Sequence, residues 1–139
     1  MIVLDTSALF AALVESERHH LACRDALLAG EPPLLLSPFV LAEIDYLLTS
    51  SVGADAALAL LDEIARGAYR LEPFGDADVA SARAVLVQYR DLGIGLADAS
   101  VVVLAARHET DRVLTLDERH FRAVRTPTGS GFVLLPADA

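Results

Sequence analysis

Met1-Ile2-Val3-Leu4-Asp5-Thr6-Ser7-Ala8-Leu9-Phe10 opens the chain, and the rest of the sequence is read outward from it. Four apolar residues run into a carboxylic acid, and two hydroxyl residues then lead into a second apolar stretch. A short, continuous apolar run with such a break reads as a strand buried on both faces, the signature of a parallel sheet. Residues 2–5 are therefore expected to form a buried strand ending at Asp5. Thr6 or Ser7 should start a helix through Leu13, because a hydroxyl satisfies the orphan amides of a first turn. Asp5 is left at the rim of a core, where a carboxylate is costly to desolvate unless something positive meets it.

The same awkward placement recurs three times. Glu43 follows Phe39-Val40-Leu41-Ala42 inside a helix-like stretch. Asp98 opens the run Ala99 to Ala106, which is apolar apart from Ser100. Asp117 ends Val113-Leu114-Thr115-Leu116. Four converging carboxylates would repel one another, and a divalent cation is the usual remedy. A Mg²⁺ or Mn²⁺ site assembled from elements spread over the chain is the expectation.

Between these points the chain alternates helices and short strands. Glu17 to Ala29 has helical periodicity, closed by Gly30. Leu34–Leu36 reads as a strand, and Ser37-Pro38 as an N-cap and N1 proline for a helix to about Thr49. Ala54 to Arg66 is a helix apolar on nearly every side, which predicts burial on two sides. Tyr69–Glu72 reads as a strand, Asp76 or Asp78 to Arg90 as a helix, and Leu96 or Ala97 to His108 as another. Arg112–Leu116 and Phe132–Leu135 complete the strands. The pattern is an α/β layered fold with a mostly parallel sheet. Such sheets gather function at the carboxyl ends of their strands, where Asp5 and Asp117 stand.

At 139 residues the chain suits a single domain, 1–139, able to bury about two-thirds of its unfolded surface. A hydrophobic fraction of 54% and a mean hydropathy of +0.45 are high, so some apolar surface is expected to serve a partner. No run approaches a membrane span, and the N-terminus lacks the basic region of a signal peptide. The lone Cys23 forms no internal disulfide and is expected to be a buried thiol, so the cytoplasm is the expected compartment. The net charge of −9 weighs against a nucleic-acid partner only weakly, since bound metal would neutralise part of it. All eleven basic residues are Arg, five of them between Arg107 and Arg125. Arg112, Arg119, Arg122 and Arg125 could track a phosphate backbone or pair with Glu109, Asp111 and Glu118 on a solvated face.

Four segments together resemble the PIN-domain nucleases, and within them the VapC toxins of bacterial toxin–antitoxin pairs: Ile2–Leu9, Leu41-Ala42-Glu43-Ile44, Gly95-Leu96-Ala97-Asp98-Ala99, and Leu114-Thr115-Leu116-Asp117 followed by His120-Phe121. The resemblance covers the whole chain in order and spacing. It implies a PIN-like three-layer fold and a Mg²⁺- or Mn²⁺-dependent endoribonuclease with Asp5, Glu43, Asp98 and Asp117 as its acidic quartet. Thr6, Ser7 and Thr115 would be supporting hydroxyls. A toxin of this kind implies an RNA substrate and a cognate antitoxin, and the apolar helix 54–66 or its neighbour 38–49 would serve a homodimer or complex. A PIN nuclease of RNA maturation and a non-catalytic PIN-fold binding module are the alternatives.

Each acid also has a plainer explanation. Asp5 could cap the first helix, Glu43 could be solvated, Asp98 could complement its helix dipole, and Asp117 could belong to an ordinary turn. His19 and His20 project about 100° apart on a helix, which makes a poor joint site and favours exposure. His120 is expected at the surface or the edge of the core, with an approach to substrate as the alternative. A receiver domain or a haloacid-dehalogenase-type phosphatase would need a Lys, which the chain lacks, and the latter also an Asp at position 7, which is Ser. No P-loop or dinucleotide glycine motif is present.

Overall fold

A computed structural model describes residues 1–139. Strand β1 (Ile2–Leu4) leads into α1 (Thr6–Leu13) and α2 (His20–Ala29). Strand β2 (Leu34–Leu36) leads into α3 (Pro38–Ser51) and α4 (Ala54–Ala65), and β3 (Arg70–Leu71) into α5 (Asp76–Gln88). A 3-10 turn at Arg90–Leu92 precedes α6 (Leu96–Arg107), β4 (Arg112–Leu114), α7 (Glu118–Ala123) and β5 (Val133–Leu135). All pairings are parallel, in the order β3-β2-β1-β4-β5.

That order carries the functional geometry. From β1 the chain builds outward to β2 and β3, then returns to the other side of β1 for β4 and β5. Right-handed crossovers consequently place α1–α4 on one face of the sheet and α5 and α6 on the other. Between β1 and β4 the direction of winding reverses, and ligand crevices of parallel sheets open at such a point, beyond the carboxyl ends of the strands. Asp5 follows β1 directly and donates its N–H to Leu114 O at 2.9 Å. Thr115 follows β4 and donates its N–H to Leu135 O at 2.9 Å. Both residues are thus held by the sheet ladder at the mouth of that crevice.

The buried strands are apolar on both faces: Ile2, Val3, Leu4, Leu35, Leu36, Val113, Leu114 and Leu134 are essentially inaccessible. Ser37 caps α3 by accepting the Phe39 N–H at 3.1 Å. Its hydroxyl also meets Ser100 Oγ at 2.6 Å, while Ser100 donates to Ala97 O at 2.6 Å. One proton per hydroxyl makes Ser37 the donor in that pair. A fully buried hydrogen bond therefore ties the start of α3 to the start of α6.

Several expectations are corrected. The 54–66 helix is buried on one side only, through Ala57 and Leu60. Leu58 and Leu61 are 61% and 40% exposed, so its second apolar face finds no cover within the chain. The helix expected from Glu17 starts at His20, because Val14 O and Glu17 O accept turn bonds from Glu17 and His20. His20 is not free: its Nδ1 lies 2.8 Å from Ala11 O, joining α2 to α1. The helix expected to reach Arg90 ends at Gln88; the 3-10 turn follows, and Gly93 closes it with φ 68°, a left-handed conformation suited to glycine. Helix α7 was not expected at all. No helix is long and apolar enough to cross a membrane.

Candidate functional site

Asp5 stands first at the mouth, with only 3% of its surface exposed. It is the N-cap residue of α1 by position, yet its side chain makes no capping hydrogen bond, so the capping explanation fails. Its Oδ2 instead accepts from Thr115 Oγ1 at 2.7 Å and from Ser7 Oγ at 3.0 Å. Both hydroxyls also receive backbone amides of the loop after β4: Asp117 N donates to Thr115 Oγ1 at 2.9 Å and Leu116 N to Ser7 Oγ at 3.0 Å. The two hydroxyls thus fix Asp5 and the approach to Asp117 as one unit, in the supporting place expected for them. Thr6 differs, because its Oγ1 is buried without a hydrogen-bond partner. Burial pushes the Asp5 carboxyl up to about 6, and the charge of Asp98 adds to the rise against the pull of the Thr115 and Ser7 hydroxyls.

Asp98 projects from the first turn of α6. Its Oδ2 accepts the Gly95 N–H at 3.2 Å, the arrangement of an acid three residues inside a helix start. The helix-terminus explanation therefore holds, but it is incomplete. Burial raises the Asp98 carboxyl above its ordinary range despite the Gly95 amide; the charges of Asp117 and Glu43 also raise it, and His120 opposes them. Asp98 links the group: Asp117, Glu43 and His120 act on it, and its charge acts on Asp5.

Asp117 caps α7: its side chain accepts the His120 N–H at 3.1 Å through Oδ1. Its Oδ2 lies 2.8 Å from His120 Nδ1, and that nitrogen lies 3.9 Å from Asp98 Oδ2. Ligand atoms of Asp98, Asp117 and His120 all fall within 4.8 Å of one another. Glu43 is the outlier. It is exposed on α3 and joins the group through its charge on Asp98, so Asp98 and Asp117 are drawn together beside His120, Asp5 is coupled to them through the charge of Asp98, and Glu43 stands at the edge.

Glu72 shows what a satisfied buried acid looks like in this fold. It is 5% exposed and is met by His108, by Arg107 at 3.7 Å and by Arg70 at 3.5 Å. Asp5, Glu43, Asp98 and Asp117 have no such partners; the one basic group within ion-pair distance of any of them is His120. Acids this close, partly desolvated and without an arginine, form a donor set for an oxygen-seeking divalent cation. Asp98, Asp117 and His120 could hold such an ion directly, with Asp5 behind them. The sequence reading placed His120 at a surface or core edge. Its signal was the spacing from Asp117, since the N-cap and the third helical residue face the same way. The basic cluster is more structural than expected. Arg122 binds Asp138 twice at 2.7 Å and Glu118 at 3.0 Å, bracing α7 against the C-terminal residues. Arg107 pairs with Asp78 at 2.7 Å.

An all-parallel sheet with acids gathered at its point of reversal is the architecture of a PIN domain, and the chain belongs to that family: the PIN-domain family model matches residues 2–126. It is 43% identical over 135 residues to Ribonuclease VapC26 of Mycobacterium tuberculosis, covering 97% of this chain and 100% of the relative. The fold is similar to the crystal structure of M. tuberculosis VapC20, a sarcin-ricin loop cleaving toxin, with a TM-score of 0.79 and 21% identity over 84% of this chain and 90% of that one. It is also similar to VapBC2 from Rickettsia felis bound to a DNA fragment from its promoter, with a TM-score of 0.66 and 20% identity over 96% and 97% of the two chains. At those identities the two structures bear on the fold.

Proposed function

We propose that the chain is a divalent-metal-dependent endoribonuclease acting as the toxin of a toxin–antitoxin pair. The observation that carries the reading is the convergence of Asp5, Asp98 and Asp117 at the reversal of the sheet without an arginine to neutralise them. The 43% identity to a VapC ribonuclease over nearly the whole chain supports the substrate class. Asp5, Glu43, Asp98 and Asp117 are the acids assigned to the site. A bound Mg²⁺ or Mn²⁺ would supply an activated water and charge neutralisation on the phosphate and leaving oxygens.

The chain's own groups have separable tasks. Asp98 and Asp117 present carboxylate oxygens to the mouth, and the helix starts beneath them hold those side chains in place. Asp5, locked by Ser7 and Thr115, supplies a fixed negative charge behind them. Glu43, exposed at the rim, is placed to hold a water or to meet the edge of the substrate. Arg119, exposed on α7 two residues after Asp117, is the arginine we assign to a phosphate of the substrate.

Two experiments test the reading. Purified protein should cleave single-stranded or loop RNA in Mg²⁺ or Mn²⁺ and stop in EDTA; undiminished cleavage in EDTA refutes a metal mechanism. Expressed alone, wild type should arrest growth, a small co-expressed partner protein should relieve the arrest, and Asp98→Asn should be harmless. Equal effects of wild type and Asp98→Asn on growth would exclude a toxin acting through this site.

The assembly follows from α3 and α4. Tyr46 on α3, Val52 just after it and Leu58 on α4 are 71%, 56% and 61% exposed, more apolar surface than free helices usually carry. A homodimer through this surface is expected, and light scattering should return twice the mass of one chain. A monomer at high concentration counts against it.

A further inference from the structure

We propose that His120 is a nitrogen ligand of the cation held at this site, and that it biases the site toward Mn²⁺ over Mg²⁺. The inference rests on the metal-site reading above. His120 Nδ1 is buried and has no hydrogen-bond partner, although Asp117 Oδ2 is only 2.8 Å away, because the approach is poorly aligned for a hydrogen bond. A buried polar atom left unpaired destabilises the fold, so a partner at that position would remove a standing penalty. The surroundings define the partner. Nδ1 faces two carboxylate oxygens, at 2.8 Å on Asp117 and 3.9 Å on Asp98. Ligands of an octahedral ion bound at about 2.1 Å stand about 3.0 Å apart when adjacent and about 4.2 Å apart when opposite. The 2.8 Å separation is close to the adjacent spacing, and the 3.9 Å separation lies between the two, so a few tenths of an ångström of side-chain adjustment brings these atoms around one ion.

The backbone also has reason to stay. Asp117 Oδ1 is occupied by the His120 amide, which turns Oδ2 and the ring toward the same point. Arg122, two residues further along, pairs with Glu118 within α7 and ties the helix to Asp138. Imidazole nitrogen is a good donor to Mn²⁺ and other transition ions, whereas Mg²⁺ sheds water reluctantly and prefers oxygen ligands. A nitrogen among the carboxylates thus separates two ions that an all-oxygen site would treat more nearly alike. The competing role for His120 is a protonated counter-charge for Asp117, which would exclude the ring from the metal.

Pulsed electron paramagnetic resonance of Mn²⁺ bound to the purified protein distinguishes the two. Wild type should show directly coupled ¹⁴N, and His120→Ala should not. In titrations, His120→Ala should lose at least about tenfold in Mn²⁺ affinity, as perturbed metal sites do, but less than about threefold in competing Mg²⁺. His120→Asn, which keeps a polar side chain at the start of α7, should behave like the alanine variant; melting curves in EDTA check that both variants fold. Bound Mn²⁺ without ¹⁴N coupling, or equal losses for the two ions, overturns the role of His120 and leaves the acidic site standing. No binding of Mn²⁺ by wild type overturns both.

Discussion

Asp98→Asn and Asp5→Asn should each slow RNA cleavage by at least about two orders of magnitude, the scale of losing a key electrostatic group in an active site. Asparagine keeps the shape of each side chain. At position 98 it still offers an oxygen to the Gly95 amide, and at position 5 it still accepts from Thr115 and Ser7. The loss is therefore one of charge, with little change in packing. Asp98 is the more sensitive position, because its charge is felt by Asp5 and it responds to Asp117 and Glu43. Glu43→Gln should cost less, since Glu43 is exposed and its field is screened by solvent. Single-turnover cleavage of a short RNA at saturating Mn²⁺ gives the comparison. Asp55→Asn, in the first turn of α4, is the control and should cleave as wild type does. An Asp98→Asn variant as fast as that control would remove the acid from the chemistry.

The parts of this fold legible in the sequence are those with one dominant physical signal. Ile2–Leu4 and Leu34–Leu36 are apolar throughout because both faces of a parallel strand are covered. The acids that end or interrupt such runs stand out because burial without a partner is costly. Helix α7 carries no comparable signal. It is six residues long with one buried side chain, Phe121, so no apolar stripe can form. What makes it a helix is the Asp117 cap and the Arg122 clamp to Asp138, a contact 16 residues away in sequence. His120, expected at the surface or the edge of the core, lies at that edge with its side chain 20% exposed, and its place beside Asp98 depends on that helix. The second face of α4 was misread because periodicity reports that a face is apolar and does not say what covers it. Glu72 stands in the sequence only as the end of a strand: its three basic partners come from β3 and the end of α6, and only the tertiary fold brings α6 there.

In EDTA, Asp98→Asn should melt at or above wild type, the opposite of the usual effect of altering a partly buried residue. Burial and neighbouring acids raise the carboxyls of Asp98 and Asp5, so their ionised forms oppose folding. The direction with pH follows from this. For Asp5 the folded value of about 6 lies above the ordinary 3.8, so the folded state holds its proton more tightly. Stability of the metal-free protein should consequently fall as pH rises from about 4 to about 6. A shift of about two units corresponds to at most roughly 3 kcal/mol. Asp5→Asn should flatten that part of the curve, and Asp98→Asn should shrink it by removing one of the charges that acts on Asp5. Metal reverses the order of the variants. An ion bound only by the folded state adds RT ln(1 + [L]/Kd), about 2.7 kcal/mol at a hundredfold excess over Kd, or several degrees for a chain of this size. Mn²⁺ should therefore raise the Tm of wild type and of Asp55→Asn while leaving Asp98→Asn nearly unmoved. The loss of a favourable helix-terminus charge at Asp98 opposes the gain in EDTA, so the size of that gain is less diagnostic than the missing Mn²⁺ response. Should Asp98→Asn gain as much from Mn²⁺ as wild type, the acids at the reversal of the sheet do not share an ion, and the carboxylates of β1, α6 and α7 are neighbours without a common task.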